Sequence, residues 1–519
     1  MRKCLYSLLL MTLVFASPAW ATWREVSSKH FVIYSEENAR SMQEFATSLE
    51  QYDKGLRVLF NIPEDTDSHA SRVIVFVLPS EDAVRRLAGA KGGSGLSGFY
   101  QNWTGGPAAF VPRSTGDEEF GYGKQLVLQH EYAHHFMYRS FAAVFPAWFA
   151  EGFAEFASTA ERKRDAIGFG LPAQHRAYGL LEMTPLPIEK LLTSTPDWNT
   201  PEATDRFYGR SWLLVHYLTM ERSRAGQLDT YLQKLNSGED NLAAARAAFG
   251  DLKQLDKGLN AYLHQPTLRY FGLSTSKLPI GKIEVRELGA GEAAIMDVRM
   301  RSKAGVNKET AAQVVAMARK AAAPFPNDPA VQTAQAEAEY DAGNYAEAEA
   351  AADRAIAADP KAVDALTYKG EVRMEQAALA DKDDPQSWKD VRKWFLTANR
   401  IDNEDPEPLA FFFLSFLREG IELTPNALAA GEHALDLAPQ DVGLRMTVAQ
   451  YLLRHDKAPE ARRMLLWLAS DPHHARLRQR ASAMIAALDS KGTEAALAQL
   501  QGKEDLSDDE GESETKKKP

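Results

Sequence analysis

Five prolines in the C-terminal half recur on a nearly constant spacing, and this recurrence constrains the fold more than any other feature. Pro329, Pro360, Pro406, Pro439 and Pro472 each close a short step such as Asn-Asp-Pro, Ala-Asp-Pro or Ala-Pro-Gln, at separations of 31, 46, 33 and 33 residues. A fixed period of this length marks one helical hairpin repeated along the chain. The longer interval is expected to hold an insertion around Ala378 to Ser387. Such units cannot bury their apolar faces alone, so they stack into an elongated array.

The unit ending at Pro360 carries Gly343, Tyr345, Ala348 and Ala355 at small and aromatic packing positions. On these residues the segment from Glu309 to Leu488 resembles tetratricopeptide (TPR) repeats, and the alternative is another helical-hairpin array used as a spacer. The resemblance implies an all-α solenoid over residues 309–490 whose concave surface takes a protein partner. Residues 491–519, rich in Asp, Glu and Lys, are expected to be a disordered charged tail.

Composition narrows the rest. The chain has 519 residues, 45% hydrophobic and 25% charged, enough for several packed domains. Sixty basic against 71 acidic side chains, a net charge of −11, argues against a nucleic-acid binder. The single cysteine, Cys4, excludes internal disulfides, cysteine zinc fingers and iron–sulfur clusters. It lies in a segment laid out as a secretory signal: Arg2 and Lys3, an apolar run from Leu5 to Phe15, then Ala19-Trp20-Ala21. Residues 1–21 are expected to be removed, leaving an exported protein, periplasmic or secreted, with no membrane span after cleavage.

Residues 22–275 form the expected first domain. His30 to Tyr34, Arg72 to Val77, Phe99-Tyr100 and Ala108 to Val111 read as strands, and Glu37 to Phe60 as an amphipathic helix. Ser80 is placed to cap a helix running to Ala88. Lys91 to Gly106 is glycine-rich with no following Gly-Lys-Ser/Thr, so it reads as a loop at a sheet edge and not as a phosphate cradle. From Gly123 to Gly272 the pattern is helical. Residues 276–308 read as a connector with a β-hairpin, because Ile283 and Val285, then Met296, Val298 and Met300, alternate around Gly289 and Gly291.

The chemistry concentrates in Gln129-His130-Glu131-Tyr132-Ala133-His134-His135. On a helix, His130 and His134 share a face and can aim two imidazoles at one ion, with Glu131 in reach of a water that the ion activates. A metzincin needs Gly at 137 and His at 140; Met137 and Ser140 exclude that class. Pro146 can open a second helix carrying Glu151 and Glu155 on one face, in Trp148-Phe149-Ala150-Glu151-Gly152-Phe153-Ala154-Glu155. Two carboxylates on an apolar helix are costly to bury without a cation or donors, and a metal with a ligating histidine would satisfy both.

These two motifs resemble the gluzincin metallopeptidases, the clan of thermolysin and aminopeptidase N, and more narrowly the small peptidase-MA-like domains of exported bacterial proteins. The resemblance implies an α+β zincin-like domain with a small mixed sheet, a Zn2+ ion on His130, His134 and Glu151, Glu131 as general base, and Glu155 orienting a histidine from behind. Tyr208, at the head of the apolar stretch Phe207 to Leu218, matches the tyrosine that donates to the oxyanion in relatives, although Gly209-Arg210 departs from their pattern; the alternative is a core tyrosine. The aminopeptidase motif Gly-x-Met-Glu-Asn is absent before the histidine segment, so the implied activity is an endopeptidase, with peptide or protein substrate lying along the sheet edge between Phe99 and Val111. The competing reading is an inactive zinc domain joined to a TPR scaffold. His135 is expected behind the ligand pair or solvated, His216 in the core, and His473-His474 at the surface.

Overall fold

The computed structural model describes residues 22–64, 72–89, 96, 98–102, 104–113, 124–141, 143–195, 200–380, 384–471 and 473–500. The expected signal and the final charged stretch lie outside these residues, as do residues 91–95, 97 and 103 of the Gly-rich stretch. Among the described residues there are nine strands: β1 (Arg24–Ser27), β2 (Phe31–Ser35), β3 (Val73–Leu78), β4 (Phe99–Gln101), β5 (Ala108–Pro112), β6 (Glu161–Lys163), β7 (Ala166–Phe169), β8 (Phe271–Ser274) and β9 (Glu284–Glu287). Among them run α1 (Ala39–Phe60), α2 (Glu81–Leu87), α3 (Lys124–Ser140), α4 (Ala147–Ser158), α5 (Ala177–Leu181), α6 (Ile188–Thr193), α7 (Pro201–Met220), α8 (Gln227–Asn236), α9 (Asn241–Phe249) and α10 (Leu252–Leu263).

The main sheet is mixed, in the order β4-β5-β3-β2-β1-β9. β2, β3 and β5 are parallel, and β1, β4 and β9 are antiparallel additions. Its parallel strands β2, β3 and β5 are buried on both faces, which is why β3 reads Val-Ile-Val-Phe-Val-Leu without alternation. One face, with Phe31, Ile33, Val73 and Val75, packs on the core that holds Tyr52, Tyr132, Phe136 and Trp148. The other, with Val32, Tyr34, Phe76 and Phe110, packs against Met296 and Met300. Ser80 caps α2 as expected, accepting from the Ala83 amide.

Two expectations fail here. The stretch from 123 to 272 is not helical throughout: β6, β7 and β8 form a second, three-stranded antiparallel sheet. β6 is Glu-Arg-Lys, exposed along its length, so it carries no apolar alternation to read. The connector hairpin is also wrong in its second half. β9 pairs with β1, but Met296, Val298 and Met300 lie in α11 (Ala290–Ala304). Met296 and Met300, four apart, face the sheet, while Ile295 and Val298, three apart, face the helices that follow. Two helical stripes on opposite sides of one helix sum to an apparent period of two. Glu292 fixes the helix start by accepting from the Gly289 amide at 2.9 Å.

The remaining helices are α12 (Ala311–Ala322), α13 (Pro329–Asp341), α14 (Tyr345–Ala358), α15 (Val363–Leu379), α16 (Pro385–Ile401), α17 (Pro406–Glu419), α18 (Pro425–Leu437), α19 (Val442–Arg454), α20 (Ala458–Ala469), α21 (Ala475–Lys491) and α22 (Thr493–Ala498). Pro329 and Pro406 occupy the first turn of α13 and α17, behind Asp328 and Asp405 whose carboxylates cap the helices. Longer helices account for part of the long interval in the recurrence, since α15 and α16 each extend to 17 residues, against 13 and 14 for α13 and α14, and the rest lies in the segments before and between them. Gly370 marks a close approach within that hairpin: a Cβ there would lie 2.4 Å from the Phe395 ring. The expected tail also begins too early, because α22 packs Ala496 into the last apolar cluster of the array.

Candidate metal centre

α3 and α4 bring the two motifs together, and each helix is anchored by side chains outside them. The Tyr52 hydroxyl donates to the Gln129 carbonyl at 2.9 Å, and the Tyr132 hydroxyl to Asp53 Oδ1 at 2.7 Å, so α1 holds α3 just before and within the histidine pair. Every residue of α4 is buried, and the Trp148 indole donates to the Tyr231 hydroxyl at 3.1 Å. Gly152 is required by the neighbouring helix: a Cβ there would stand 2.5 Å from the Ser211 carbonyl oxygen of α7.

His130 Nε2 and His134 Nε2 lie 3.2 Å apart, and Glu151 Oε2 lies 3.4 Å from the first and 3.5 Å from the second. Among the described residues this triplet is the cluster of histidine and carboxylate groups with the geometry to hold a metal ion. A tetrahedron with zinc–nitrogen bonds of about 2.0–2.1 Å has edges of roughly 3.3 Å, so the three donor atoms already sit at the separations that one such ion requires. Glu151 supplies a second test. It is fully buried, yet neither oxygen has a donor in hydrogen-bond alignment. A carboxylate left so in an apolar helix calls for a cation. The residues therefore fit zinc.

The electrostatics agree. Burial pushes Glu151 up, but the charge interaction with the imidazoles around it, His134 first and then His473, holds it well below the usual carboxylate range. Burial pulls His130 down, while the carboxylates of Glu151 and Glu155 beside it outweigh that and push the imidazole up to about 10. The pocket between the helices thus demands positive charge.

Glu155 takes the supporting position. Its Oε1 lies 3.3 Å from His130 Nδ1 and accepts from Arg176 at 2.6 Å, while Oε2 meets His175 Nε2 at 2.7 Å. Arg176 in turn lies 3.4 Å from Asp205 and places its guanidinium 4.8 Å above the Tyr208 ring. Tyr208 is buried in α7 with its ring centroid 5.8 Å from that of His130. Glu131 is half-buried on α3, and its charge, after burial, helps to push the Tyr100 phenol on β4 well up. All six residues expected from the sequence, His130, Glu131, His134, Glu151, Glu155 and Tyr208, thus fall in one region, with β4 as the sheet edge beside them.

His175 and Arg176 were not singled out from sequence, although a buried Glu155 required donors from somewhere. His216 is the core residue expected: its Nδ1 accepts from Tyr262 and its Nε2 donates to the Gly170 and Arg269 carbonyls, at 2.9, 2.9 and 3.0 Å. His135 is buried with its ring 5.8 Å from Tyr132, not solvated. His473 gives the largest surprise. Its side chain is 38% exposed, yet its Nε2 lies 3.4 Å from Glu151 Oε1.

The C-terminal half is an array of helices packed pairwise on their chain neighbours, α13 with α14 through α19 with α20. Among solved structures the chain is similar to a thermophilic TPR protein of Thermus thermophilus, with 16% identity over 37% of this chain and 97% of that one, at a TM-score of 0.31. It is also similar to the pilF protein of Pseudomonas aeruginosa, with 16% identity over 41% and 92%, at 0.32. No protein-family model and no curated protein matches the chain. Among the described residues no helix is long and apolar enough to cross a membrane.

Proposed function

We propose that this protein is an exported zinc-dependent endopeptidase whose helical array binds a protein substrate or partner. The observation that carries the reading is the triplet His130, His134 and Glu151 at tetrahedral separations, with a glutamate, Glu131, directly after the first histidine. A metal site that served structure alone would have no use for Glu131. Zinc, when bound, supplies a Lewis acid that polarises a carbonyl and makes water acidic near neutral pH. Glu131 then takes a proton from the attacking water and returns it to the leaving amine. Tyr208 donates to the oxygen that gains charge. Glu155 fixes the ring and tautomer of His130 from the far side, itself held by His175 and Arg176. An extended peptide can pair along the outer edge of β4, the last strand of the sheet on that side.

A scaffold in which the zinc domain is inactive is the second reading. It is favoured by the close seating of the array on α3, where Arg139 donates to the Leu437 carbonyl at 3.1 Å and Tyr138 meets Trp467. The deciding experiment is cleavage of a peptide library and of unfolded proteins by the zinc-loaded mature chain, with Glu131→Gln as control. Cleavage lost in the control supports the peptidase; a zinc-loaded wild type that cleaves nothing supports the scaffold.

A further inference from the structure

Glu151 uses its two oxygens differently. Oε2 is the oxygen nearest both histidines, at 3.4 and 3.5 Å, whereas Oε1 is the oxygen nearest the imidazole of His473, at 3.4 Å. His473 comes from the array, in the turn between α20 and α21, and that turn is built to present it. Asp471 Oδ1 accepts from the amides of His473 and His474 at 2.7 and 2.9 Å, and its Oδ2 lies 3.1 Å from His474 Nδ1. Arg478 donates to the Asp471 carbonyl at 2.7 Å and to the Thr195 hydroxyl at 3.2 Å, tying the turn to the N-terminal domain. The His473 ring stands edge-on to that of His134, at 5.3 Å and 88°.

A carboxylate that ligates through one oxygen leaves the other needing a donor, and in a fully buried residue solvent does not supply it. We propose that His473 is that donor: a positioning residue, carried by the helical array, that orients Glu151 and so completes the metal centre only when the array is docked. The inference rests on the metal site of the proposed function and adds to it. The centre is composite, and the array holds the site together as well as any partner it binds.

The test compares zinc affinity, by chelator competition, in the full mature chain and its His473→Ala and His473→Gln variants, with melting of the metal-free forms alongside. Loss of an orienting partner is expected to weaken zinc about 10–100-fold in His473→Ala. His473→Gln, which keeps an N–H donor, should recover most of that, and metal-free melting should not change. Zinc affinity in His473→Ala equal to wild type overturns the proposal. So does a loss in His473→Gln as large as in His473→Ala with metal-free melting lowered, which marks a packing role. Faster peptide hydrolysis by His473→Ala at unchanged zinc affinity also overturns it, because His473 would then be a cover. A wild type that holds no zinc sinks the metal reading and this proposal together. A zinc-loaded wild type that cleaves nothing sinks only the peptidase reading and leaves the affinity comparison decisive.

Discussion

Tyr138 on α3 meets Trp467 on α20 with ring centroids 5.1 Å apart, and Tyr138 also lies nearly parallel to His134 at 6.2 Å. One aromatic ring therefore touches both a proposed metal ligand and the array. The guanidinium of Arg445 covers the Trp467 ring at 4.3 Å, so the contact is backed from within the array.

This seating bears on truncation. A fragment of residues 22–272 cuts through β8 and removes β9 and α11, which pair with β1 and cover the second face of the sheet. Val32, Tyr34, Phe76 and Phe110 would lose Met296 and Met300. The fragment is expected to aggregate, and sedimentation of the purified product checks it.

Zinc stoichiometry tests the ligand set. One zinc per mature chain is expected, falling to near zero when His130, His134 or Glu151 becomes alanine, because three protein ligands share one ion. Elemental analysis reads the outcome. Full zinc in Glu151→Ala would shift the assignment to Glu155.

Glu131→Gln keeps the shape of the side chain and removes its proton-accepting role. Hydrolysis should fall by about 10²–10⁴-fold or more while zinc content and melting stay near wild type. Parallel zinc and rate measurements separate this from loss of the site.

Glu155→Ala should be costly to the fold as well as to the metal. It leaves Arg176 and His175 without the carboxylate they share. Breaking a buried pair costs about 3–5 kcal/mol, and the lower end is expected because Asp205 remains near Arg176. Urea unfolding of the metal-free protein measures it.

His216 gives a pH signature. Burial holds its imidazole down to about 4, against 6.5 unperturbed. The unfolded chain therefore takes up a proton between those values and the folded chain does not, so wild-type stability falls as pH drops from about 6.5 to 4. The effect is at most about 3 kcal/mol. His216→Leu loses hydrogen bonds and should be less stable at pH 7, but its deficit should shrink across that window. A deficit that stays constant from pH 7 to 4, in melting curves of both proteins, would refute this.

The legible parts were those encoded by short-range pattern. His130 and His134 are four apart on one helix, Glu151 and Glu155 four apart on the next, and Gly152 sits where only a glycine admits α7. Of the recurring prolines, Pro329 and Pro406 open array helices as first-turn residues. What failed did so for identifiable reasons. α11 hid because it is buried on two sides at once, and β6 because it is buried on neither.

The sequence by itself determined the histidine and glutamate pairs, the strands of the parallel core and the period of the array, since each is set by spacing along a helix, a run of β-branched residues or a repeated capping step. Only the tertiary structure decided which groups serve those side chains. His175 and Arg176 reach Glu155 from a short helix that no pattern connects to it, and His473 reaches Glu151 from the far end of the chain. Such partners are chosen by the demand of a buried charge for a donor, which acts through space and leaves no periodic mark in the chain.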